Sequence, residues 1–413
     1  MHAEIINIGD ELLIGQVINT NASWMAQQLN SIGIDIIKVS IISDDKSSII
    51  QCIDEAFERA DLILITGGLG PTNDDITKYT LCEYFSSNLI FDEATYNRIE
   101  QLFAVRGFKV TELNRKQAEV PENCIVIPNN HGTASGMWFE KSGKILISMP
   151  GVPFEMKSMI SDFILPKLSE NINFKIIHKT IHIQGIGESF LADLIKDWEE
   201  KLPKNIKLAY LPQPGLIRLR LSAKGLKNEK LEEIINKEIE KLNLLIPDLI
   251  YGYDEDSLEK VIGKLLKENK KTLSTAESCT GGYISHLITS MAGSSAYYKG
   301  SIISYSNEIK TGLLDVNPLT IEKYGAVSKE TVIEMANGAL KKMKTDYAIA
   351  VSGIAGPDGG SIEKPIGTIW IAVGNNKSII TEKFLHGEDR GRNIRKAALS
   401  ALNMLRKVIQ SDC

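Results

Sequence analysis

The sequence predicts two α/β domains with mainly parallel sheets, joined by a small α+β module. Three observations carry that reading. Short apolar strands alternate with amphipathic helices over the first part of the chain and again from 255 onward, the pattern of strands linked by helical crossovers. Between 168 and 252 the texture changes to short, antiparallel-looking strands with two helices. Glycine-rich turns also stand directly after apolar runs, at the carboxyl edge where such sheets bind ligands.

A chain of 413 residues is too long for one ordinary core, and three domains are expected, at 1–167, 168–252 and 253–413. The hydrophobic share of 43 % and charged share of 24 % suit a globular protein. A net charge of −5, from 47 basic and 52 acidic residues, leaves no nucleic-acid footprint across the whole chain. No apolar run approaches the roughly 18 residues of a membrane span, and the chain opens with a strand rather than a signal peptide. The cysteines at 52, 82, 124, 279 and 413 are odd in number and scattered, so no disulfide framework is expected. A cytoplasmic location without membrane partners follows as the expectation.

In the first domain, strands are predicted at 4–8, 34–42, 62–66 and 144–148, with helices near 19–31, 46–59, 74–86 and 92–105. Gly9-Asp10-Glu11-Leu12-Leu13-Ile14-Gly15 follows the first strand. Thr66-Gly67-Gly68-Leu69-Gly70-Pro71-Thr72-Asn73-Asp74-Asp75 follows the third. Glycine amides bind anions and paired aspartates hold hard cations through oxygen. Gly67, Gly68, Gly70 and Thr72 are therefore candidate phosphate ligands, and Asp74, Asp75 and Asp44 candidate metal ligands. The plain alternative for an Asp pair is a solvated helix start. In the middle module, strands are predicted at 175–184 and 217–223 and helices at 187–200 and 227–243. Pro247 to Asp254 reads as a linker.

In the last domain, strands are predicted at 272–275, 301–305, 347–351 and 366–373, with a long helix from about 389. Ala276-Glu277-Ser278-Cys279-Thr280-Gly281-Gly282 lies between a strand and a helix. Helix-start N–H groups are unsatisfied and face the positive dipole end. Ser278 can act there as a nucleophile, with the amides of Thr280, Gly281 and Gly282 holding an oxyanion. Its plain alternative is an N-cap, and Cys279 is a rival nucleophile. No Ser-His-Asp pattern is present, and His286 reads as structural. A serine–lysine pair can replace the triad, and a desolvated lysine can accept the serine proton. Lys310 and Tyr305, about thirty residues on, are the candidates. The loop Ser352 to Gly360, with Gly353 and Gly356, suits close approach of a phosphate or ribose, or is only a tight crossover. Arg390 and Arg392 either grip a phosphate or solvate the last helix.

AESCTGG, YSNEIK, GAVS, SGIAGPDGG and KPIGTIW, in that order, resemble the carboxyl-terminal domain of the CinA family, the nicotinamide mononucleotide amidohydrolases. GDELLIG, TGGLGPTNDD, GTASG and MPGVPFEM resemble the family's amino-terminal domain, a relative of the molybdopterin-binding MogA/MoaB fold. The module between them is similar to the family's KH-like connector. Its Gly185-Ile186-Gly187-Glu188 turn is acidic rather than flanked by basic residues, so no direct nucleic-acid contact is expected.

The resemblance implies hydrolysis of nicotinamide mononucleotide to nicotinate mononucleotide and ammonia. It places the catalytic serine, tyrosine and lysine on Ser278, Tyr305 and Lys310, with no cofactor. It also implies that the amino-terminal domain binds a pterin phosphate, or cleaves ADP-ribose with a divalent metal, Mg or Co. The partners implied are these small nucleotides and a second copy of the chain in a homodimer. The alternative is a regulatory protein tied to competence, whose amino-terminal domain only binds its ligand.

Overall fold

The structure is a computed structural model, and it describes every residue except Asn73, Arg106, Asn171 and Cys413. Asn73 of the glycine-rich motif and the last cysteine therefore lie outside the described residues. The chain forms two compact units, residues 1–177 with 223–231 and residues 178–222 with 232–413.

In the first domain the strands are β1 His2–Ile8, β2 Asp35–Ile42, β3 Leu62–Thr66, β4 Leu89–Phe91, β5 Glu119–Pro121, β6 Ile125–Ile127, β7 Gly136–Lys141 and β8 Lys144–Met149. Six of them form one sheet in the order β2-β1-β3-β8-β7-β6. It is parallel from β2 to β8 and antiparallel from β8 to β6. β4 and β5 pair separately. Strand β3 is apolar at four positions and buried at all five, as a strand covered on both faces must be. Its side chains alternate between two cores: Leu62 and Leu64 pack toward Met25 and Leu29 of the helix Thr20–Ser31. Ile63 and Ile65 pack toward Ile49 and Ile53 of the helix Lys46–Arg59. Asp45 caps that second helix by accepting from the Ser48 amide.

The middle module has β9 Phe174–Ile183, β10 Ile206–Gln213, β11 Leu216–Leu226 and β12 Ile250–Tyr253, arranged β10-β11-β9-β12. The expected linker from Pro247 to Asp254 is a correction: Ile250 to Tyr253 pair antiparallel with β9. Pro247 and Gly252 imitate a turn, yet Ile250 and Tyr251 bury their side chains.

The last domain has β13 Leu273–Glu277, β14 Tyr298–Ile303, β15 Tyr347–Gly353, β16 Thr368–Gly374 and β17 Ile379–Leu385. The order is β14-β13-β15-β16-β17, parallel at the first two pairs and antiparallel at the last two. One face is large: Ile349, Val351, Ile369, Ile371 and Val373 pack with the helices Leu258–Glu268 and Arg390–Asp412. The other face is small: Ala348, Ala350 and Ala372 meet Ala336 and Ala339 of the helix Lys329–Met343. Gly338 of that helix lies so near the helix Asn307–Leu314 that a Cβ would stand 2.0 Å from the Leu314 carbonyl oxygen. No helix among the described residues is long and apolar enough to cross a membrane.

Candidate active site

Strand β13 lies inside its sheet between β14 and β15, and the chain turns at Ser278. Gly281 and Gly282 take φ of +58° and +97°, the left-handed region where a side chain is strained. That turn folds the chain back over the strand end. Ser278 is 7 % exposed, and its own amide donates to the Val351 carbonyl at 2.9 Å.

Lys310 reaches the same point from the helix Asn307–Leu314. It is 1 % exposed, and Nζ lies 3.1 Å from Ser278 Oγ and 2.8 Å from the Ser304 carbonyl. No carboxylate pairs with it among the described residues. Burial pushes its pKa below the ordinary lysine value, because an ammonium loses hydration there without a counter-charge. Cys279 is also buried, and burial pushes its thiol up to about 12. A protonated thiol is a poorer nucleophile than a thiolate, so this environment disfavours Cys279 in that role.

The expected oxyanion donors need a correction. Gly281 N donates to the Ser278 carbonyl. Gly282 N donates to Glu277 Oε2 at 3.1 Å. Glu277, fully buried, also accepts from the amides of Ile284 and Ser285 and from Thr280 Oγ1. Its carboxylate thus takes up the start of the helix Tyr283–Thr289, where a negative charge is favoured. The Thr280 amide has no acceptor among the described residues, and the Cys279 amide meets only its own sulfur, so these two donors at the turn are open to a ligand. Sequence reasoning quoted Glu277 without giving it a role; an acidic residue closing a buried strand was the available signal.

Ser278, Lys310, Gly353 and Arg390 line one cavity of about 190 Å³ with Cys279, Tyr305 and Asn307. A Cβ on Gly353 would lie 2.7 Å from Ile369 Cγ1 and 3.0 Å from Cys279 Sγ, so a side chain there would crowd the packing beside the site. Tyr305 is 62 % exposed, and its hydroxyl accepts from Arg390 Nη2 at 3.0 Å rather than meeting Ser278. Arg390 Nη1 donates to the Gly356 carbonyl at 2.7 Å, which fastens the glycine loop to the last helix. Arg392 stands outside, exposed, at the start of that helix.

In the first domain Gly67 and Gly68 have φ of +112° and +65°. Gly67 N donates to the Met149 carbonyl, while the amides of Gly68, Leu69 and Gly70 have no acceptor among the described residues. Asp75 accepts from the amide and hydroxyl of Thr72. Asp44 accepts from the Asp10 amide at 3.0 Å. Burial, then the charges of Asp10, Glu11 and Asp74, push the Asp44 carboxyl above its ordinary value. Among the described residues no group of three His, Cys, Asp or Glu side chains is placed to hold a metal ion. Asp44, Asp74 and Asp75 are therefore not assembled as the expected metal site, because local hydrogen bonds engage Asp75 and Asp44 separately.

Three domain families match the chain in succession: a probable molybdopterin binding domain over 4–170, the damage-inducible protein CinA KH domain over 178–252, and the CinA C-terminal domain over 255–409. A CinA-like protein of Cytophaga hutchinsonii is 47 % identical over 411 residues, covering 99 % of this chain and 98 % of its own. A CinA-like protein of Flavobacterium psychrophilum is 48 % identical over 413 residues, covering 99 % of both. Among solved structures, the competence/damage inducible protein CihA from Agrobacterium tumefaciens is 37 % identical, covering 37 % of this chain and 93 % of its own, with a TM-score of 0.36.

Proposed function

The chain belongs to the CinA family along its full length, and from that membership we propose that its carboxyl-terminal domain is an amidohydrolase acting on nicotinamide mononucleotide. The observation that carries the reading is the buried Lys310 Nζ, 3.1 Å from Ser278 Oγ and without a carboxylate partner. A neutral amine there accepts the hydroxyl proton as Oγ attacks the carboxamide carbon. The amides of Cys279 and Thr280 stabilise the developing oxyanion. The lysine then returns its proton to the departing nitrogen, which leaves as ammonia. A water, deprotonated by the same amine, attacks the acyl-serine and releases the carboxylate. Arg390, already fixed at Gly356 and Tyr305, keeps further N–H donors for a substrate phosphate. The test is incubation of the full chain with nicotinamide mononucleotide. Ammonia and nicotinate mononucleotide are expected in equal amounts; no ammonia above a control without protein overturns the reading.

For the amino-terminal domain the reading is a phosphate ligand seated on the free amides of Gly68, Leu69 and Gly70, three successive donors facing one anion. ADP-ribose is the substrate to test. Among the described residues the carboxylates as placed do not form a metal site. Formation of AMP from ADP-ribose, with and without Mg²⁺ or Co²⁺, separates turnover from binding. The regulatory alternative has no observation in its favour beyond the words of relatives' names.

A further inference from the structure

A cavity of about 730 Å³ in the second unit lies away from Ser278 and shares no lining residue with that site. It opens between the Gly185–Glu188 turn of the middle module and the face of the last helix that carries Lys396, Ser400, Met404 and Lys407. We propose that it binds a small nucleoside monophosphate or a close chemical equivalent, with the phosphate at the turn and the ring against the apolar wall.

Four observations support this assignment. First, no backbone amide from 185 to 190 has an acceptor among the described residues, and Gly187 opens the helix Glu188–Glu199 without a side-chain cap. That gives a row of anion donors at the positive end of a long helix. Second, Ser400 lines the cavity while only 8 % exposed, and its hydroxyl has no partner among the described residues. That hydroxyl is open to the cavity, and His386 Nε2, on a residue that also lines it, is buried with no hydrogen-bond partner among the described residues; a ligand there would complete both. Third, Lys396 and Lys407 have no ion-pair partner among the described residues, and Lys396 stands close enough to depress the His386 imidazole, which burial first and that charge second push down to about 4. The imidazole is therefore uncharged near neutrality, and the two ammonium groups are the positive charge that an anion would meet. Fourth, Phe384, stacked on His386 with ring centroids 5.7 Å apart, and Met404 offer a wall for a planar ring.

The volume falls within the range of small-molecule sites, roughly 300–1,000 Å³. Exposed Glu188 and Glu382 at the lining supply acceptors for sugar hydroxyls and disfavour a polyanion. The assignment does not depend on the amidohydrolase reading.

Methyl NMR of the full chain, labelled at methionine methyls, tests it, with adenosine 5′-monophosphate as the probe. The Met404 resonance, assigned through Met404→Leu, reports on this cavity; Met335, buried in the opposite core of the same domain, serves as the control. A saturable Met404 shift below about 10 mM probe is expected, with Met335 unmoved. Lys396→Glu should weaken it by at least about fivefold, and Ser400→Leu, which fills the cavity, should abolish it. Lys396 is partly exposed, so the charge reversal leaves the core intact and keeps the test valid if Ser400→Leu misfolds. No saturable Met404 shift, or one that Lys396→Glu leaves unchanged, overturns the proposal.

Discussion

The turns after β13 and after β3 are built alike and finished differently. Both leave an inner strand of a sheet through consecutive glycines at positive φ, and both keep unpaired amides at the strand end. At Ser278 the remaining groups are buried and committed: a lysine aimed at the hydroxyl, and a glutamate holding the helix start. At Gly67 the charges of Asp10, Glu11 and Asp74 reach Asp44, yet no three of the described carboxylates are placed to hold one ion, and Asp44 and Asp75 are each engaged by a neighbouring amide. The difference is preorganisation. A site assembled before substrate arrives stabilises charge without reorganising, whereas scattered carboxylates need a ligand or cation to draw them together.

The sharpest way to break this contrast is to remove the nucleophile. Ser278→Ala should lower amide hydrolysis by several orders of magnitude, as loss of triad members does, and leave any ADP-ribose chemistry untouched. Retention of more than about a tenth of the rate would end the assignment, and so would equal inactivation by Cys279→Ala.

Lys310→Met should follow, with a loss of about 10²–10⁴-fold in kcat. Because burial lowers the lysine pKa, the neutral amine grows as pH rises, and the wild-type rate should climb through that pKa before levelling. With chemistry rate-limiting, a profile flat from about pH 6 to about pH 9 is the contrary result.

Glu277→Gln asks how much the committed glutamate matters. It replaces the carboxyl group that accepts from Thr280 Oγ1 and from the amides of Gly282, Ile284 and Ser285 by a weaker acceptor, and should cost about 1–3 kcal/mol of stability by thermal unfolding. The kcat should fall while KM barely moves, since Glu277 touches no substrate; an unchanged kcat would make it purely structural.

The smallest effect on amide hydrolysis is expected from the other domain. Asp75→Asn should leave ammonia release unchanged and weaken ADP-ribose processing. A parallel loss of both activities would mean that the two sites are not independent.

What the sequence made legible follows from how local each feature is. The Ser278 turn is contiguous, and Lys310 lies one crossover away on the adjoining β14 arm, so both could be read from spacing. Glu277 could not, because its hydrogen bonds depend on the glycines bending the chain back over it. Strands β4 to β7, β10, β12 and β17 went unread: β4, β5 and β6 are only three residues each, β17 has polar residues at Thr381, Glu382 and Lys383, and β12 is framed by turn-forming residues. The carboxylates of the first domain looked convergent along the chain, but Ser and Thr hydroxyls and nearby amides compete for them locally, a competition that spacing does not record.

Gly338 has a reach beyond its own helix. Its bare backbone lets the helix bearing Lys310 lie against it at Leu314, one turn past the lysine. Gly338→Ala would wedge that helix outward, admit water to Nζ and raise the lysine pKa toward its solution value. The acid limb of the rate profile would then shift to higher pH. The pKa of this buried amine would thus depend on a missing methyl group on a neighbouring helix.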